Sequence, residues 1–170
     1  MSDGARGSLV VHVGPMFAGK TTALFRAAAG GCIVRHARDT RGPRIALPPG
    51  ADVRVCDSLV AFAADAPADV FVDEGFLFAD LVAGVDALRA RCCNVVVASI
   101  QYDYMRRWFE NVRGLTEMPG AVVVVHAGTC ATPGCGAPSV YTARTAAVAD
   151  RIAVGDFYAP VCAACWRAPE

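Results

Sequence analysis

Apolar residues fall into short blocks separated by segments of a different character. Leu9–Val13, Cys32–Val34, Val53–Val55, Asp69–Asp73, Asn94–Ile100 and Ala121–His126 are β-branched or apolar runs of strand length, while Thr21–Ala29, Ser58–Ala64 and Phe78–Arg91 are helix-like. Such alternation predicts an α/β fold, a parallel sheet with crossover helices on both faces. Val95–Ala98 and Val122–Val125 are apolar at every position, which predicts strands covered on both sides. The proline-rich stretch Pro43–Gly50 reads as a loop between strands.

Composition narrows the class. The 170 residues, 55% hydrophobic and 19% charged, allow one domain with a small appendage and exclude intrinsic disorder. Sixteen basic residues balance sixteen acidic ones, so no bulk field draws the chain to nucleic acid or to an anionic membrane. The apolar runs fall short of the ~20 residues of a spanning helix, and Met1–Ser8 lacks an apolar signal core. The expectation is a soluble, cytoplasmic protein without a nucleic-acid or membrane partner.

Of the sixteen basic residues, Lys20 is the one lysine, and it sits in Gly14-Pro15-Met16-Phe17-Ala18-Gly19-Lys20-Thr21. This segment satisfies the phosphate-binding loop G-x-x-x-x-G-K-[ST] between a predicted strand and a predicted helix. Its glycines let backbone N–H groups turn inward, the helix N-terminus adds positive potential, Lys20 reaches the β/γ-phosphates and Thr21 holds Mg²⁺. His12, on the preceding apolar strand, reads as a satisfied core histidine.

Asp69-Val-Phe-Val-Asp73-Glu74 is an apolar strand ending in two carboxylates. In P-loop proteins an Asp at such a strand end holds the metal, sharing it with the loop Thr. One residue beyond the strand, Glu74 can turn toward a substrate and serve as general base. Arg106 and Arg107, beside Trp108, are open to two readings: neutralisation of charge on a transferred phosphoryl group, or a solvated helix face.

Four of the eight cysteines pair by spacing, Cys130-x4-Cys135 and Cys162-x2-Cys165. The pattern resembles a structural zinc ribbon in which four thiolates close a tetrahedral site. A structural zinc returns about 10–16 kcal/mol on folding, against a typical 2–4 kcal/mol for a disulfide. Cys32, Cys56, Cys92 and Cys93 adjoin apolar runs and read as small buried hydrophobes.

Together these motifs resemble the cellular-type (type II) thymidine kinase family from about Ser8 to Trp166. Members open with Gly-Pro-Met-Phe-Ser-Gly-Lys-Ser/Thr, from which Gly14–Thr21 differs by Ala18. The resemblance implies a P-loop, RecA-like domain over residues 1–126 and a zinc-binding lasso subdomain over 127–170. It also implies transfer of the γ-phosphate of ATP to the 5′-hydroxyl of thymidine, in deoxynucleoside salvage for DNA synthesis. Glu74 would be the general base. Arg38-Asp39-Thr40-Arg41 looks like the family's Lys-Asp-Thr-Arg, placing Asp39 and Arg41 near the phosphates with Asp73. Met16, Tyr104, Thr142 of Tyr141–Arg144, and Tyr158 would line the thymidine pocket, with backbone groups of Ile152, Ala153 and Val154 on the lasso reading the base edge. ATP, Mg²⁺ and structural Zn²⁺ are the implied cofactors, and a homotetramer the implied assembly. The chain stops soon after Cys165, as in the short forms of large DNA viruses.

The departures lie on the acceptor side. The family's Leu-Asp-Gly-Thr-Phe is Ile100-Gln-Tyr-Asp-Tyr104 here, the Gln of Asp-Glu-Gly-Gln is Phe76, Thr-His-Asp is replaced by the Ile45–Pro49 region, and the first cysteine pair is spaced x4 instead of x2. Two alternatives follow, a kinase for another deoxynucleoside and a catalytically degraded relative that binds nucleotide or a partner.

Overall fold

A computed structural model describes residues 6–42, 45–146, 150–152 and 157–168. Six strands, β1 (Leu9–Val13), β2 (Cys32–His36), β3 (Asp52–Cys56), β4 (Asp69–Val72), β5 (Asn94–Ser99) and β6 (Ala121–Val125), form one parallel sheet in the order β3-β2-β4-β5-β1-β6. Because β1 and β4 flank β5, their carboxyl ends lie about 10 Å apart at normal strand spacing. The P-loop bridges that gap.

The pleat sorts side chains onto two faces. Cys32 and Val34, Val70 and Val72, and Val95 and Val97 point into one core with Leu59, Leu81, Val85, Leu88, Val112 and Leu115. Those partners come from α2 (Leu59–Phe62), α3 (Leu81–Ala90) and α4 (Glu110–Thr116). On the opposite face Ile33, Phe71 and Ala98 meet Leu24, Phe25 and Ala28, supplied by α1 (Lys20–Ala27) and the residue that ends it. Helices therefore cover both faces, as the alternating pattern predicts.

Three local expectations are corrected. Among the described residues Val122–Val125 form an outer strand that pairs with β1 on one side, and their side chains are exposed, Val125 by 71%. An apolar run of this kind marks a covered strand only where other elements lie over both faces of the sheet, and at this outer strand they do not reach. Helix α4 is absent from the sequence-based elements because it is short, contains Gly114, and shows only Val112 and Leu115 as a buried stripe. Cys92 is exposed, in a turn with φ 62°, and Cys56 is only half-buried, although Cys32 and Cys93 are buried as expected.

After β6 the chain makes two small antiparallel sheets. β7 (Gly128–Thr129) pairs with β8 (Pro138–Ser139), and β9 (Tyr141–Arg144) with β10 (Tyr158–Val161).

Candidate functional site

The P-loop leaves β1 through Gly14, where any Cβ would lie 2.4 Å from the His126 carbonyl oxygen; only glycine fits so close a backbone approach. Gly19 is left-handed, φ 85°, and serves as the N-cap of α1. Lys20 is buried, its ammonium donating to the Pro15 carbonyl over 2.6 Å. Burial lowers the Lys20 pKa, against the attraction of Glu74 and Asp73. A cavity of about 270 Å³ opens above the loop, lined by Met16–Thr22 together with Arg35, Asp39, Arg41, Asp73 and Glu74.

At the end of β4, Asp73 is buried and accepts a hydrogen bond from the Thr21 hydroxyl over 3.0 Å. Two cis oxygens on an octahedral magnesium at ~2.1 Å stand about 3.0 Å apart, so this pair fits one such ion. Burial, then the adjacent Glu74 charge, push Asp73 up to about 6 against the Thr21 hydrogen bond. Glu74 itself is left-handed, φ 52° and ψ 49°. A non-glycine residue in that region is strained, and such strain gathers at functional sites. The turn carries the Glu74 side chain off the sheet end and into the cavity.

Asp39 and Arg41 form a buttress behind it. Arg41 donates through Nε to Asp39 Oδ1 at 2.7 Å and through Nη2 to Glu74 Oε1 at 3.0 Å. Arg35, from β2, donates to Asp39 Oδ2 at 2.9 Å and to the Arg41 carbonyl at 2.6 Å. Burial pushes the Asp39 carboxyl up, but hydrogen bonds and charge from Arg41 and Arg35 outweigh it and hold the group below the usual carboxylate range. Arg35 escaped the sequence reading; its signal was a guanidinium inside the apolar run Cys32–His36.

A second, narrower cavity adjoins the first and shares Met16, Arg41, Glu74 and Ile100 with it. Tyr104, Thr142, Ile152 and Tyr158 line it, as does Phe76. The Met16 N–H donates to Thr142 Oγ1 over 3.0 Å, tying β9 to the P-loop. Asn111 of α4 donates to the carbonyls of Phe76 and Phe78 at 3.1 and 2.7 Å and fixes the chain beyond Glu74. Ala153 and Val154 lie outside the described residues.

Arg106 and Arg107 are solvated, as the second reading has it, but not on a helix, and neither lines the phosphate cavity. Both lie in a turn closed by an antiparallel bridge between Tyr102 and Trp108, with Arg106 at φ 64°. Arg106 stacks on Tyr141, 4.2 Å from the ring centroid, and Arg107 pairs with Asp103 at 3.0 Å. His12 is half-buried and shares a hydrogen bond of 2.8 Å with His126.

The Sγ atoms of Cys130, Cys135, Cys162 and Cys165 lie within 4.8 Å of one another. Cys135 is 3.7 Å from Cys162 and 3.5 Å from Cys165, and a tetrahedral zinc with Zn–S of ~2.3 Å sets sulfurs about 3.8 Å apart. The cluster fits zinc despite the longer first spacing, because Gly134 and Gly136, with φ of 75° and 62°, absorb the extra residues in a tight turn. Strand β10 runs from Tyr158 in the second cavity to Val161 beside Cys162, so the metal cluster and the cavity wall share one hairpin.

A P-loop and a strand-end carboxylate meeting at the carboxyl edge of a parallel sheet define a P-loop nucleotide-binding protein. The sequence profile "Thymidine kinase" matches residues 51–166, and the chain belongs to the thymidine kinase family. It is similar to the cytosolic thymidine kinase of Gallus gallus, at 29% identity over 95% of this chain and 77% of the relative. The thymidine kinase of Porphyromonas gingivalis is 29% identical over 95% of this chain and 86% of its own length; for the cytosolic enzyme of Homo sapiens the values are 29%, 95% and 74%. Family membership makes the protein a kinase, a phosphoryl transferase. No helix among the described residues is long and apolar enough to cross a membrane.

Proposed function

We propose that the protein is a thymidine kinase that transfers the γ-phosphoryl group of ATP to the 5′-hydroxyl of thymidine. The observation that carries this reading is the position of Glu74, which lines both cavities at their junction. A base there reaches a hydroxyl in the second cavity and faces phosphates in the first. The P-loop and Lys20 would hold the triphosphate, and Thr21 with Asp73 would hold Mg²⁺, which would neutralise charge on the phosphate oxygens. Arg41 keeps Glu74 oriented and adds positive charge beside the transferred group. Tyr104 and Tyr158 offer aromatic surface to a nucleobase, Met16 and Thr142 close the cavity toward the P-loop, and Ile152 borders it.

A related deoxynucleoside is the second reading, favoured by Phe76 and Asp103, which line the acceptor cavity where family members carry other residues. The protein works in the cytoplasm and assembles with copies of itself, a tetramer by family likeness. The bare valine edge of β6 supports self-association, since an unpaired apolar strand without charged gatekeepers invites pairing. The test incubates purified protein with labelled ATP·Mg and each of the four deoxynucleosides in competition. Thymidine monophosphate as the main product supports the proposal; another monophosphate selects the second reading, and ATP binding without product leaves a degraded relative.

A further inference from the structure

Asp103 has no counterpart among the motifs that describe the phosphate site, yet its side chain is 0% exposed. Its Oδ1 accepts the N–H groups of Met105 and Arg107, both at 2.9 Å, and its Oδ2 accepts Arg107 Nε at 3.0 Å. Those three bonds close the turn between Tyr102 and Trp108. A fourth donor comes from 48 positions away, Arg151 Nε at 2.8 Å. The same guanidinium donates through Nη2 to the Trp108 carbonyl at 3.1 Å and stands 5.0 Å from the centroid of the Phe109 ring.

We propose that Asp103 and Arg151 are positioning residues that clamp the lasso onto the acceptor cavity and set the affinity for the nucleoside. This rests on the reading of that cavity as the nucleoside site. Arg151 precedes Ile152, and both line the cavity with Tyr102, Asp103 and Phe109. Pinning the Arg151 side chain at three points therefore pins the backbone that borders the base.

An ordinary surface ion pair contributes little, because both partners stay solvated and both lose side-chain freedom. Here the carboxylate is already dry and already fixed by its own turn, so Arg151 meets a preorganised acceptor at low entropic cost. The two ends are also separable. Without Arg151 the turn keeps its Met105 and Arg107 bonds, and Asp103 keeps a cationic partner in Arg107. Removing Arg151 therefore opens the clamp and leaves the turn folded.

The test compares Arg151→Met, Arg151→Lys, Asp103→Asn and the double variant Asp103→Asn/Arg151→Met. In Arg151→Met the nucleoside KM should rise about tenfold, with kcat and the KM for ATP within twofold of the parent protein. Arg151→Lys should recover part of that loss, and the double variant should be no worse than the poorer single one, since both remove the same contact. Amide hydrogen exchange at residues 150–152 should quicken in Arg151→Met relative to the parent protein, with exchange in β1, β4 and β5 unchanged. That readout needs no reaction: faster exchange in a protein that phosphorylates no nucleoside would sink the kinase reading and leave the clamp standing. An unchanged nucleoside KM with unchanged exchange, or an equal rise in the KM for ATP, would overturn the clamp.

Discussion

Arg41 Nη2 and Glu74 Oε1 lie 3.0 Å apart at the boundary shared by the two cavities. The contact joins a loop after β2 to the turn after β4, and it holds the proposed base toward the place where hydroxyl and phosphate would meet. Glu74→Gln keeps the shape and a hydrogen-bond acceptor but not the basicity. It should lower kcat by about 10²–10⁴-fold while MgATP affinity stays within a few-fold of the parent. Steady-state turnover with labelled ATP and thymidine checks this, and parent-like activity would remove Glu74 from the role of base.

The buried carboxylate of Asp39 leads to a pH prediction. Its folded pKa lies below the ordinary carboxylate value, so the native state favours the ionised form and the unfolded state binds the proton more readily. The stabilisation is full above the unfolded value, ~3.9, and is lost as pH falls through the lower folded value. Asp39→Asn should cost roughly 1.5–3 kcal/mol at pH 7, the scale of hydrogen bonds to a charged group. The gap from the parent should narrow as the pH is taken below about 4. Urea titrations at a series of pH values measure it; a gap that widens on acidification would contradict the assignment.

Zinc should be present at one atom per chain. Cys135→Ser and Cys162→Ser should each lower metal content and melt the β9–β10 hairpin, raising the nucleoside KM because Tyr158 and Thr142 belong to that hairpin. MgATP binding should persist, since the phosphate cavity is built on β1, β2 and β4. Metal analysis with paired nucleotide and nucleoside titrations checks both halves. Unchanged metal content after removal of all four cysteines would end the zinc assignment.

The exposed edge of β6 makes the oligomer testable. Val123→Lys/Val125→Lys places charge on an outer strand that now presents only apolar side chains, and the paired change should reduce the assembled mass in light scattering. An unaltered mass would show that assembly uses another surface.

What the sequence made legible was what local spacing encodes. Gly14–Thr21 dictates a loop, Asp73-Glu74 follows directly from a strand that must end, and the cysteine spacings bring ligands to one turn each. The alternation of strand and helix segments was enough for a two-faced parallel sheet, because each buried run needs a partner face. Position within the sheet was not legible: Val122–Val125 look like an interior strand, and nothing in those residues says that, among the described residues, β1 is the one strand they pair with. Helix α4 was hidden by its brevity and by Gly114, although its Asn111 fixes the carbonyls beyond Glu74. Asp103 and Arg151 meet across 48 positions, a contact no local pattern encodes. Arg35 alone carried a readable hint, a cation in an apolar strand.

The P-loop, Asp73 and Thr21 converge on a place for one magnesium-bound triphosphate, and titration calorimetry of MgATP into the folded protein tests that convergence. A single saturable binding event should appear, lost in Lys20→Ala and weakened when magnesium is withheld or Asp73 is changed to Asn. Well-folded parent protein that gives no heat with MgATP, or Lys20→Ala binding as tightly as the parent, would contradict it.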